Sequence, residues 1–175
     1  MDWVLLTYHL PNEPSRHRVA VWRELRRVGA VSLQQATWAV PARQKFTDAV
    51  MTAVDLIERG GGEALVFDAS ARGQGMSARL EALFTEEREQ EWTEFLAECT
   101  KFDAEIDKEI RTQKFTAAEL DEEEQNLERL RRWYRELRAR DVFGTSHNEA
   151  ERRLKESSER LEDFAERVYE HGGGS

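Results

Sequence analysis

Residues 3–41, WVLLTYHLPNEPSRHRVAVWRELRRVGAVSLQQATWAVP, carry the decision about the fold. Val4, Leu5 and Leu6, flanked by Trp3 and Tyr8, form an unbroken apolar run, the pattern of a central strand covered on both faces. Pro11 ends it, because proline has no N–H to offer a ladder. NEPS then offers a helix start, with Asn12 or Ser15 as the cap and Pro14 suited to the first turn. On a wheel of about 100° per residue, Val19, Val21, Trp22, Leu25 and Val28 share one broad face. Arg16, Arg23 and Arg27 fall within about 40° of one another on the opposite side. Arg18 lies on the apolar side, at the frayed start or reaching past the sheet edge. Gly29 closes the helix as a left-handed cap. The segment AVSLQQATWAVP alternates well enough for two short strands, near 31–34 and 36–40, or one bent strand, and Pro41 closes it.

Working outward, a second helix is expected from Arg43 to Arg59, burying Phe46, Val50, Ala53, Val54 and Ile57. Gly60, Gly61 and Gly62 end it, and EALVFDAS, residues 63–70, supplies a last strand. The order is β-α-β-β-α-β. With right-handed crossovers this gives a four-stranded antiparallel sheet with both helices on one face, the ferredoxin-like α+β arrangement, over residues 1–75. The other sheet face then needs cover from a partner subunit or from the rest of the chain.

Residues 76–171 read as an all-α arm. Gly73 and Gly75 around Gln74 suggest a hinge, followed by a short helix over Ser77 to Phe84 and a new start at Thr85 with Glu86 and Glu87. Trp92, Phe95, Leu96, Cys99, Phe102, Ile106 and Ile110 recur at helical spacing. Thr116 to Glu119 is a capping-box pattern opening a helix with the stripe Leu120, Leu127, Leu130, Tyr134 and Leu137. Ser146 to Glu149 is another, followed by Ala150, Leu154, Ser157, Leu161, Phe164 and Val168 at heptad spacing. A helical hairpin or three-helix arm follows from these stripes. GGGS, residues 172–175, reads as a linker or tag remnant.

The bulk numbers narrow the function classes. The 175-residue chain has a net charge of −9, but residues 1–75 carry nine Lys/Arg and eight Asp/Glu, while residues 76–175 carry 17 and 27. An acidic arm repels phosphate, yet an arginine patch on the first part still attracts it. No apolar run approaches the roughly 20 residues of a membrane span, and the N-terminus has no signal-peptide pattern. The single cysteine, Cys99, excludes an internal disulfide and fits a reducing, cytoplasmic setting.

Several motifs together resemble a known family. These are the L-P after strand one, the R-x-R-x-x-x-W-R-x-L of Arg16 to Leu25, the R-R-x-G of Arg26 to Gly29, and the apolar segment ending in Val40-Pro41. To them are added the S-x-R-L-x-A-L-F of Ser77 to Phe84 and the D-V-F-G of Asp141 to Gly144. The chain resembles the N-terminal domain of the chromate-resistance regulator ChrB. The resemblance implies a chromate-responsive transcriptional regulator, and together with the arginine stripe it leads to the expectation of a homodimer that binds a DNA operator. Any oxyanion effector (chromate) would act through a second domain that is absent here. The first 70 residues resemble more distantly the ferredoxin-like subunit of the CRISPR adaptation endonuclease and the central domain of the phenylacetate repressor PaaX. The nuclease ends strand one in Y-D, and its aspartate serves metal binding. Here the pair is Tyr8-His9, and a magnesium site needs hard oxygen ligands.

Candidate residues follow from both lines. Arg16, Arg18, Arg23, Arg26 and Arg27 are candidates for gripping DNA phosphate or an oxyanion, since guanidinium matches such groups bidentately. The plain alternative is a solvated helix face partly neutralised by Glu13 and Glu24. Tyr8 and His9 are either a small pocket or a packed pair at the strand end. Cys99 reads as a buried thiol, Trp92 and Trp133 as packing, and Glu122 to Glu124 as solvated acids at a helix start. No cofactor, metal site or catalytic group stands out. The competing readings are a partner-recruiting acidic arm and a degenerate metal-dependent nuclease.

Overall fold

The structure, a computed structural model, describes residues 1–144 and 147–173. Its elements run β1 (Asp2–His9), α1 (Ser15–Val28), β2 (Val31–Gln34), β3 (Thr37–Pro41), α2 (Gln44–Arg59), β4 (Glu63–Ser70), α3 (Gln74–Arg111), α4 (Ala117–Arg140) and α5 (Asn148–Gly172). The chain divides into two compact units, Met1–Glu87 and Arg88–Ser175. No helix among the described residues is long and apolar enough to cross a membrane.

The first unit has the expected ferredoxin-like topology, an antiparallel sheet in the order β2-β3-β1-β4. β1 is central, as its unbroken apolar run requires, and Trp3, Val4 and Leu6 are buried in it. The segment after Gly29 resolves into two strands, joined through Ala36 at φ 58°. α2 buries the five residues named from its spacing, Phe46, Val50, Ala53, Val54 and Ile57. Phe84 closes this core, with its ring centroid 6.1 Å from Trp3 and 6.0 Å from Phe46, both edge-on. Each such buried side chain contributes about 1.5–3 kcal/mol, so the unit rests on aromatic and aliphatic burial rather than on ion pairs.

Two expectations for this unit are corrected. Neither Asn12 nor Ser15 caps α1: Pro14 holds the cap position and no side chain bonds there. The buried face of α1 is also narrower than the wheel suggested. Val21 and Leu25 are fully buried, whereas Val19 is 41% and Trp22 51% exposed. A single line of contact covers only a narrow stripe, here Val21 and Leu25 flanked by the half-buried His17, Glu24 and Val28. Gly29 does cap the helix as expected, at φ 81° with its N–H on Arg26 and Leu25 carbonyls.

The expected short helix over Ser77 to Phe84 and the separate helix starting at Thr85 are replaced by one 38-residue helix, α3, beginning at Gln74. Gly73, at φ 83°, precedes it, while Gly75 lies inside it. Extending an existing helix adds a hydrogen bond per residue, whereas starting a new one carries the nucleation penalty. Thr85 and its following acids therefore continue the helix.

In the second unit the stripes of α3, α4 and α5 share one core. Phe95, Cys99 and Ile106 from α3 meet Leu127, Leu130 and Leu137 from α4 and Leu161 and Phe164 from α5. The arm is thus the three-helix form. Thr116 Oγ1 accepts the Glu119 N–H at 3.2 Å, the forward bond of the expected capping box. The Ser146 of the second box lies outside the described residues, as do Gly174 and Ser175 of the terminal GGGS. One acid departs from its expected place: Glu123 is only 3% exposed. It falls on the same helical stripe as Leu120 and Leu127, three residues after one and four before the other, and Asn126 donates to its Oε2 at 3.2 Å.

Candidate nucleic-acid interface

α1 holds the first unit's main concentration of positive charge. Its 14 residues include five arginines against one acid, Glu24. The rest of residues 1–75 carries four basic and seven acidic side chains, so the positive field is confined to this helix. The structure leaves Arg16, Arg18, Arg23, Arg26 and Arg27 exposed. With Val19 and Trp22 they fill an arc of about 180° at 100° per residue, opposite Val21 and Leu25. The expected stripe of three arginines is therefore part of a wider face of five.

That face carries an aromatic ring. Trp22 lies between Arg18 and Arg26, four residues to either side, and the Arg26 guanidinium carbon is 5.8 Å from the ring centroid. The helical wheel sets Trp22 on the apolar side, yet its ring is exposed, and its flanking arginines are the sequence signal for that. Glu24 holds Arg27 in a two-pronged contact, at 3.1 Å from Nε and 2.7 Å from Nη2. An exposed pair of this kind contributes about 0.3–0.5 kcal/mol, and an exposed cation–π contact about 0.5–1 kcal/mol. Charge-assisted hydrogen bonds contribute about 1.5–3 kcal/mol. The Arg27–Glu24 pair is itself charge-assisted, and its exposure is what keeps its net contribution small.

Tyr8 and His9 sit at the far end of β1, and successive residues of a strand point to opposite faces. Tyr8 is half-buried, and its N–H donates to the Ala36 carbonyl at 3.1 Å. Burial pushes its hydroxyl above the ordinary tyrosine range, partly offset by a hydrogen bond with Trp38. His9 is exposed and pairs across the ladder with Glu63. Among the described residues no three His, Cys, Asp or Glu side chains gather to hold a metal ion.

Comparison with known families places residues 18–174 on the family model described as Protein ChrB, N-terminal. The match takes in Arg18, Trp22, Arg23, Arg26 and Arg27 but begins after β1, Tyr8, His9 and Arg16. No curated protein and no solved structure matches the chain.

Proposed function

The chain belongs to the ChrB N-terminal family, and on that premise we propose a chromate-resistance regulator module that binds duplex DNA through the outward face of α1. The observation that carries this reading is the placement of Arg16, Arg18, Arg23, Arg26 and Arg27 around the exposed Trp22. A helix about 10–12 Å across enters a major groove about 12 Å wide. Arginine then bonds phosphate oxygens for affinity or guanine edges for sequence. Trp22 and Val19 supply apolar contact in the same footprint. The second unit is acidic and offers phosphate no comparable surface. The module acts in the cytoplasm as a homodimer, and an oxyanion effector would enter through another domain.

The test is fluorescence anisotropy with a duplex from upstream of its own operon against a scrambled duplex, between 50 and 200 mM salt, a range over which roughly 10³-fold losses mark multiple phosphate contacts. The expected result is salt-steep binding that prefers the operon duplex and is weakened by combined Arg16→Ala, Arg23→Ala and Arg26→Ala substitution. Binding that ignores those substitutions overturns the reading.

A further inference from the structure

The two edges of the sheet differ. β2 is a four-residue edge with a register irregularity between Ser32 and Gln34. Short, bulged edges resist pairing with another chain. β4 is the opposite case: eight residues, paired to β1 over its whole length from Asp2↔Ser70 to His9↔Glu63. It contains no lysine or proline, and no strand flanks its outer side among the described residues. Alternate N–H and C=O groups of such a strand point away from its partner and need an acceptor or donor. Three of its central side chains are also apolar and exposed, at 63% for Leu65, 38% for Val66 and 49% for Phe67.

The sequence of β4 favours one occupant. Two copies related by a two-fold axis perpendicular to the sheet pair antiparallel, with like faces aligned. Centred on Val66, Leu65 lies opposite Phe67 of the second copy, and Phe67 opposite its Leu65. In the same register Asp68 faces Ala64 and Glu63 faces Ala69, so neither acid meets a like charge or a large apolar side chain. Centring on residue 67 sets Val66 against Asp68, and centring on residue 68 sets Asp68 against itself. Like charges directly opposed are destabilising, and apolar cross-strand pairs contribute about 0.2–1 kcal/mol each.

We propose that the β4 edge is the homodimer interface, joining two four-stranded sheets through Val66↔Val66 pairing into one continuous sheet. This names the surface for the dimer in the functional reading above and rests on that part of it. The two-fold axis keeps both α1 helices on one side of the joined sheet, where a pseudo-palindromic duplex meets them.

The experiment uses the full chain. Light scattering after size exclusion is expected to give about 41 kDa, twice the 20.4 kDa chain, with Leu65→Lys/Phe67→Lys monomeric. Circular dichroism checks that this variant keeps its fold, as exposed positions allow. Val66→Cys is expected to cross-link under mild oxidation, because opposed Cα atoms at about 4.5–5.5 Å suit a disulfide. Glu63→Cys, opposite Ala69, is expected not to. A dimer that persists in the lysine variant and fails to link at position 66 overturns this surface while the DNA reading stands. A monomeric wild type overturns the dimer itself. Loss of DNA binding by a dimer that links at position 66 counts against α1 alone and supports this edge.

Discussion

Trp92 on α3 donates its indole N–H to Asp141 Oδ2, just beyond the end of α4, across 2.9 Å. His147 Nε2 lies 3.6 Å from the same oxygen, and its ring centroid is 4.6 Å from that of Trp92. The aspartate of the D-V-F-G segment therefore fastens two helices of the second unit. Removing a donor from a buried carboxylate costs about 1–3 kcal/mol. Trp92→Phe keeps most of the ring packing and is expected to lower stability by that amount, about 2–12 °C in melting temperature. An unchanged calorimetric midpoint would show that the bond contributes nothing.

Burial raises the carboxyl of Glu123 above its ordinary value, and Glu122, Glu105 and Glu109 push the same way against the hydrogen bond from Asn126. The folded state thus holds this proton more tightly than the unfolded chain. The group favours folding least once both states are ionised, and the penalty grows as pH rises from the usual glutamate range through the raised folded value. Glu123→Gln is expected to shift the urea midpoint upward at pH 7. The gain should shrink toward pH 4, and a gain independent of pH would point to packing instead.

Cys99 sits in the three-helix core, and desolvation pushes its thiol up to about 11 despite the attraction of Arg153. At pH 8 about one part in a thousand is thiolate, the reactive form. Labelling by a thiol reagent is therefore expected to proceed only as fast as the second unit opens, and to become immediate in denaturant. Rapid labelling of the native chain at pH 8 would contradict this burial.

Two glycines close in sequence predict opposite outcomes. A Cβ on Gly62 would stand 2.3 Å from the His9 carbonyl oxygen and 2.8 Å from a Leu10 methyl. Gly62→Ala is expected to destabilise by about 1–3 kcal/mol, the range for overpacking. Gly75 lies within α3 with nothing within 4 Å of such an atom. Gly75→Ala is expected to stabilise by about 0.5–1 kcal/mol through helix propensity. Thermal melts of the pair measure both signs together.

The fold was legible where one force dominated. Apolar runs and spacing located β1, α2 and β4, because Val4, Leu6 and the five buried residues of α2 must leave water. Thr116 and Gly29 marked helix ends because their local chemistry needs no partner. What failed was relational. Thr85 with Glu86 and Glu87 resembles a new helix start, but an existing helix runs on through such residues because continuing it avoids the nucleation penalty. Glu123 resembles its neighbours Glu122 and Glu124 and differs only in standing on the stripe. Trp22 was hidden for the same reason, since a tryptophan beside Val21 reads as core until the width of the contact is known. The five arginines were all named from sequence, but that they form one face with an indole between them required the helix to be placed.

Trp22 offers the sharpest separation of the two readings of α1. A core tryptophan replaced by alanine costs about 3–5 kcal/mol, whereas one 51% exposed should leave the melting temperature nearly unchanged. If the indole contacts DNA, Trp22→Ala weakens binding through the loss of apolar contact in the groove, such as that with thymine methyl groups. It carries no charge, so the slope of log affinity against log salt should stay as in the wild type. Arg23→Ala should instead flatten that slope by about 0.9, the loss of one phosphate contact. Anisotropy titrations at several salt concentrations read both quantities from the same samples. A Trp22→Ala chain that melts early, or binds with a changed slope and unchanged affinity, would place the ring in packing rather than in recognition.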